Sequence, residues 1–278
     1  MIEDINKNPR HSERATATEE SPKGVVVTSG DPSTPLVPRC AQDDAGKSKS
    51  TFTHAPELHH FLDTVLETNR TMNLTSVRDP EQAWNKHIVD SLHGLQTGLF
   101  DNAAGASVRV RVIDIGTGAG FPGMPLALEK PELQLTLLDS TAKKCAFLES
   151  YIQNQNLTDR IKVLLGRAEE WGHSHLHRAQ YDVAVTRALG SFSEVCELTL
   201  PFVKNGGHAI LWRGKDAPQE TQNGANIFST LSARLVSCES YQLPGHELDY
   251  HLVVLRKTKP LPGRYPRKVG VPKQQPLE

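Results

Sequence analysis

Val110-Arg111-Val112-Ile113-Asp114-Ile115-Gly116-Thr117-Gly118-Ala119-Gly120-Phe121-Pro122-Gly123 decides the fold. The run opens with short, mostly β-branched apolar residues, the pattern of a buried strand. Three glycines then fall at alternate positions, Gly116, Gly118 and Gly120. Met124-Pro125-Leu126-Ala127-Leu128 follows as the start of a helix, with Pro125 tolerated in the first turn. A glycine turn between strand and helix lets backbone approach a ligand, because no Cβ stands in the way. In open α/β sheets the ligand lies beyond the carboxyl ends of the strands.

The spacing selects among ligands. A dinucleotide fingerprint reads G-x-G-x-x-G. This chain reads D-x-G-x-G-x-G, which resembles the S-adenosylmethionine (SAM) methyltransferase pattern. The next apolar run, Leu133-Gln134-Leu135-Thr136-Leu137-Leu138, ends at Asp139, where an acid can bind ribose hydroxyls.

Outward from this stretch, strand and helix signals alternate, which argues for a parallel sheet built from βαβ units. Strands are expected at 110–115, 133–138, 161–165, 181–186 and 207–212, with helices near 122–129, 141–155 and 191–204. Ser191 and Glu194 form a candidate capping box for the last of these helices. Another helix is expected between Pro218 and Ala233, and Arg234–Tyr241 and Tyr250–Arg256 read as a closing antiparallel pair. Toward the N-terminus, Leu58, Phe61, Leu62, Val65 and Leu66 make one helical stripe. Trp84, His87, Ile88, Leu92 and Leu95 make a second, after Pro80. These helices are expected to cover one side of the sheet.

Composition sets bounds. A chain of 278 residues, 37% hydrophobic, can bury one large α/β domain with an appendage. A net charge of −1 means that nucleic-acid binding must come from local patches. Cys40, Cys145, Cys196 and Cys238 form no C-x-x-C pair, which favours a reduced cytoplasmic setting. No run approaches the roughly 18 apolar residues of a membrane span. Residues 1–51 are rich in Ser, Thr, Pro and acids and are expected to be a disordered extension without a signal or transit peptide. The methyltransferase domain is expected over 52–258 and a basic tail over 259–278. Between Leu252 and Leu277 there are seven Lys or Arg and no acid, composition suited either to phosphates or to a solvated terminus. His173, His175 and His177 sit in one loop, but no Cys or acid completes a metal-ligand set beside them.

Several segments together carry a family resemblance. They are Asn73-Leu74-Thr75-Ser76-Val77-Arg78-Asp79-Pro80, Lys86-His87-Ile88-Val89-Asp90-Ser91, the glycine stretch Asp114–Gly123, Leu137-Leu138-Asp139-Ser140, Val185-Thr186-Arg187-Ala188, and Tyr265-Pro266-Arg267-Lys268-Val269-Gly270-Val271-Pro272. From about Leu58 to Leu277 the chain closely resembles the RsmG (GidB) family, bacterial methyltransferases acting on guanine N7 in small-subunit (16S) ribosomal RNA. The resemblance implies a class I Rossmann-like fold with a seven-stranded, mostly parallel sheet. It implies S-adenosyl-L-methionine as cofactor, and 16S rRNA or a small-subunit particle as partner of a cytoplasmic monomer. It assigns cofactor contacts to Gly116, Phe121, Asp139, Ser140, Thr141, Ala168, Glu169 and Arg187, and places Arg187 beside the methyl-transfer pocket. Thr186 stands where some members have Ser. An ion pair capping the sheet is the alternative role for Arg187, and simple packing the alternative for His87. Two other functions compete: a nicotinamide-dependent oxidoreductase, which the glycine spacing opposes, and a non-catalytic RNA-binding or regulatory protein that keeps the SAM fold.

Overall fold

The computed structural model describes residues 52–101 and 109–278, so the expected N-terminal extension, 1–51, lies outside the described residues. Its centre is a seven-stranded sheet in the order β3-β2-β1-β4-β5-β7-β6. The strands are β1 (Arg111–Ile115), β2 (Gln134–Asp139), β3 (Ile161–Leu165), β4 (Tyr181–Arg187), β5 (Val203–Arg213), β6 (Ala233–Tyr241) and β7 (Tyr250–Lys257). The first five are parallel, and β7 runs antiparallel between β5 and β6, as the mostly parallel α/β reading expects.

Side-chain alternation along the strands feeds two cores. On β1, Val112 joins one core and Ile113 and Ile115 join the other. A sheet with both faces covered needs such continuous apolar runs. One face is covered by α1 (Ala55–Met72), α4 (Gly123–Glu129) and α5 (Ala142–Asn154), through Phe61, Met124 and Leu148 among others. Against the other lie α6 (Ala168–Trp171), α7 (Phe192–Thr199) and α9 (Ala225–Thr230).

The first N-terminal stripe becomes the buried face of α1. The second occupies a helical segment of changing pitch. Asp79 accepts from the Gln82 N–H and caps α2 (Pro80–Ala83). The chain then widens into a π-helical turn, Trp84–Val89, returns to α3 (Asp90–Leu92), and tightens to a 3-10 turn, His93–Thr97.

Two expected boundaries move. The helix expected at 191–204 stops at Thr199, and β5 already begins at Val203. Pro201 accounts for this: Leu200 before it still has helical angles, but the proline has no N–H to donate to the preceding turn and its ring clashes with that turn. The Ser191 cap is present, accepting from the Glu194 N–H at 3.4 Å. The single helix expected between Pro218 and Ala233 is two, α8 (Ala217–Asn223) and α9, parted at Gly224. A short C-terminal helix, α10 (Val271–Gln274), ends the fold.

Candidate active site

The glycine loop joins β1 to α4 and is organised by Asp114. This carboxylate is fully buried, and its Oδ2 accepts from the Thr117 hydroxyl at 2.7 Å and the Gly123 N–H at 2.8 Å. One oxygen thus ties both ends of the loop to the strand. The other, Oδ1, has no partner among the described residues. Burial is the largest influence on this carboxyl and pushes its pKa up to about 6, against the lowering effect of Thr117, Gly123 and Arg187.

Glycine is required for different reasons along the loop. Gly120 has φ +103°, and a Cβ there would lie 2.9 Å from Leu148, Met124 and Phe61 side chains. Gly118 has φ +61°, but a Cβ there would meet only the Lys144 Nζ, at 3.9 Å. Gly120 therefore packs inward, whereas Gly118 opens outward at a place where backbone can meet a ligand.

The end of β2 is stitched to this loop. Leu138 O accepts from the Gly116 and Thr117 N–H groups at 2.8 and 3.0 Å. Asp139 accepts from the Gly118 N–H at 2.9 Å on Oδ2 and from the Thr141 N–H at 2.8 Å on Oδ1. Ser140 is exposed beside it, and Thr141 precedes α5. The loop after β3 joins the same edge, because the Gly166 N–H donates to Asp139 O at 3.0 Å. Ala168 and Glu169 open α6 immediately beyond. The Glu169 side chain turns to the C-terminal segment, where its Oε1 accepts from the Gly270 N–H at 3.1 Å.

Arg187 and Phe121 form a second wall. Arg187 ends β4, which the Thr186 hydroxyl ties to Ile115 O at 2.8 Å. Its guanidinium carbon stands 5.5 Å from the centre of the Phe121 ring. His87 stacks on that ring, with centroids 4.6 Å apart and planes 14° from parallel. His87 comes from the π-helical turn, a wide turn that recurs at functional sites. Arg187 Nη1 donates to Lys86 O at 2.7 Å and to Asp90 Oδ2 at 2.6 Å, and Nη2 donates to His87 Nδ1 at 3.3 Å. Because Nδ1 accepts, the neutral ring carries its proton on Nε2 and donates to the Thr75 hydroxyl oxygen at 2.8 Å. Burial, reinforced by the Arg187 charge, lowers the His87 pKa to about 3, so the ring is neutral at pH 7.

Arg187 therefore makes the ion pair weighed as its alternative role, and makes it within the Phe121 and His87 cluster. Sequence reasoning did not single out Asp114, Thr75 or Asp90 as working residues. The available signal was their presence in the resemblance segments, which carry no role for these three.

The basic tail packs back on the domain. Arg178 donates to Gly172 O and Tyr265 O at 2.7 Å, to Leu261 O at 3.1 Å and to Pro262 O at 3.3 Å. Glu197, fully buried, accepts from Arg267 Nη2 at 2.7 Å and from the Arg267 backbone N–H at 2.7 Å. One residue of the histidine-rich loop serves this packing, as His173 Nε2 bonds Pro266 O at 2.7 Å, whereas His177 Nδ1 bonds the Tyr181 hydroxyl of β4 at 2.6 Å. Among the described residues no group of three or more His, Cys, Asp and Glu is placed to hold a metal ion. Arg264, Lys268 and Lys273 remain exposed on the tail.

Comparison with known proteins matches residues 54–249 to the family described as rRNA small subunit methyltransferase G (GidB). The chain is similar to the ribosomal RNA small subunit methyltransferase G of Nostoc punctiforme, 41% identical over 227 residues that cover 82% of this chain and 92% of that protein. It is also similar to the protein of that name from Alkaliphilus metalliredigens, 40% identical, with 80% and 90% covered. Among solved structures, a putative sarcosine dimethylglycine methyltransferase from Galdieria sulphuraria is similar at TM-score 0.46 and 12% identity, covering 65% of this chain and 88% of that one.

Proposed function

The chain belongs to the rRNA small subunit methyltransferase G family, and we propose on that footing that it methylates N7 of a guanine in 16S ribosomal RNA, using S-adenosyl-L-methionine. The observation that carries this reading is one strand-end edge shared by the glycine loop, Asp139 and the Arg187, Phe121 and His87 cluster.

The residues present suit that cofactor. Each Asp139 oxygen accepts one N–H, which leaves a second lone pair for a ribose hydroxyl. Gly118 leaves space where a side chain would stand. The unpartnered Asp114 Oδ1 supplies buried negative potential behind the loop. Gly116, Phe121, Asp139, Ser140, Thr141, Ala168, Glu169 and Arg187 are assigned to cofactor binding, and Arg187 also to the transfer site.

When bound, the cofactor supplies a methyl group already activated on a sulfonium. Guanine N7 offers a lone pair and carries no proton, so the chain needs no general base. Its task is to hold the two reactants in line. His87 fits this task because it stays neutral and adds no second cation beside Arg187. Phe121 is buried, with His87 stacked on its ring and the Arg187 guanidinium beside it, so it serves to hold those two groups at the transfer site. No helix of the described residues is long and apolar enough to cross a membrane. We assign the chain to the cytoplasm as a monomer acting on 16S rRNA or on a small-subunit particle.

The test is methyl transfer. Purified protein, labelled SAM and 16S rRNA or small subunits from a strain lacking the activity should yield N7-methylguanine at one position. SAM and RNA binding without any transferred label would favour the non-catalytic reading instead.

A further inference from the structure

The Arg187 guanidinium is held from a direction that the reaction itself does not require. Asp90, at the start of α3, is buried and uses both carboxylate oxygens. Oδ2 accepts from Arg187 Nη1 at 2.6 Å, and Oδ1 accepts from the Tyr241 hydroxyl. Tyr241 ends β6, the far edge strand of the sheet. Its ring stacks on His93, with centroids 4.2 Å apart. The Trp212 indole N–H, from the end of β5, donates to Asp90 O at 2.8 Å and fixes the backbone beneath the carboxylate.

We infer that Asp90 and Tyr241 are positioning residues, which hold Arg187 so that its remaining N–H groups point into the transfer site. This rests on the assignment of Arg187 to that site. A guanidinium has five N–H groups. Lys86 O, Asp90 Oδ2 and His87 Nδ1 occupy three of them. Nε–H and the second Nη2–H have no partner among the described residues. With three donors fixed, the plane of the group is fixed, and the other two can be offered in one direction only. The carboxylate bridge makes that direction depend on a hydroxyl contributed from the opposite edge of the sheet. Burial and the Asp90 charge both raise the Tyr241 pKa, so the phenol keeps its proton and remains the donor.

The test is a double-mutant cycle read as SAM affinity, with melting temperature recorded in parallel. Y241F keeps the ring on His93 and deletes only the hydroxyl. R187K keeps the charge and removes the planar fork. In the wild-type background Y241F should weaken SAM binding about three- to tenfold, the range expected for one hydrogen bond. In the R187K background it should have no further effect, because the group it positions is gone. D90N, which keeps the shape of the side chain but removes the charge facing Arg187, should weaken SAM binding at least as much as Y241F. Equal factors in both backgrounds, or a lowered melting temperature with unchanged SAM affinity, would mean that Tyr241 serves packing, and would overturn the inference. R187K binding SAM like wild type would remove Arg187 from the site and overturn the inference too. Failure of RNA methylation with intact SAM coupling would instead sink only the proposed reaction.

Discussion

Gly118→Ala separates a ligand-facing glycine from a packing one. Gly118 sits at φ +61°, so an alanine there adopts a left-handed conformation costing about 1–2 kcal/mol. The new methyl group meets nothing closer than the Lys144 Nζ at 3.9 Å, so steric cost within the protein is small. For a domain of this size the melting temperature should fall by about 2–8 °C. Gly120→Ala differs in kind. Its Cβ would lie 2.9 Å from Leu148, Met124 and Phe61, which adds about 1–3 kcal/mol of overpacking to the backbone strain. Its loss of melting temperature should be distinctly larger. SAM affinity should order the two variants the other way, per degree of stability lost. Gly118→Ala should bind SAM at least about tenfold more weakly, roughly 1.4 kcal/mol, because the methyl group occupies the approach to the loop. Gly118→Asn is the control, since asparagine tolerates the left-handed region yet still brings a side chain. Calorimetric titration with SAM alongside thermal melts gives both quantities. A Gly118→Ala protein that melts lower but binds SAM within twofold of wild type would refute the placement of ligand against Gly118.

Asp139→Ala should fold but weaken SAM binding by about 1.5–3 kcal/mol, because the proposed ribose acceptor is lost and the Gly118 and Thr141 N–H groups lose theirs; unchanged affinity by calorimetry would contradict this. On the tail, Arg264→Ala with Lys268→Ala should flatten the salt dependence of RNA binding by up to about 0.7–0.9 per lost phosphate contact and spare stability. Arg267→Ala should instead destabilise by about 3–5 kcal/mol, since it strands the buried Glu197 carboxylate; denaturant titration distinguishes the two variants. Burial lowers the Lys257 pKa to about 8 from 10.5, so between these values the unfolded chain binds the proton more often and stability from this group rises with pH. The stability of wild type relative to Lys257→Met should therefore increase from pH 8 to 10.5, and a flat or falling difference would be inconsistent with the buried cation. Asp114 has the opposite sign: its pKa is raised from 3.8 to about 6, so its contribution to stability falls as pH rises through that window. A cation bound near Oδ1 pulls this pKa back down. SAM affinity should then increase as pH rises through about 6, and pH-independent binding between 5 and 7 would argue against it.

The parts of the fold written locally were legible. The strands of β1 and β2 show as β-branched and apolar runs, and the loop between β1 and α4 shows in its glycine spacing. The acid at the end of β2 was legible because its position is set by the strand before it. Features that depend on pairing across the chain were not. Arg178 reaches carbonyls 83 to 87 residues away, and Arg267 meets Glu197 across 70. Nothing in a cation count distinguishes a tail bound to its own domain from one laid on phosphates. The π-helical turn was hidden for another reason. A helical stripe over Trp84, His87 and Ile88 assumes about 3.6 residues per turn, whereas the wide turn redirects His87 toward Phe121 and Arg187.

That redirection changes what the N-terminal helices are for. An apolar cover can detach at the cost of its buried surface alone. This one cannot, because Asp90 is buried and its carboxylate is shared between Arg187 on β4 and Tyr241 on β6. Separating the cover from the sheet would take from Arg187 both Asp90 and the carbonyl of Lys86, partners it holds with only 15% of its side-chain surface exposed. Detaching the cover therefore gives up these charge-assisted hydrogen bonds together with its buried surface. The cover and the strand ends are thus coupled where Arg187 and Phe121 stand. A change in how α3 seats against the sheet must also change how the guanidinium is aimed. The wall of the site is therefore built jointly by the sheet and by a segment that precedes the nucleotide-binding motif in sequence.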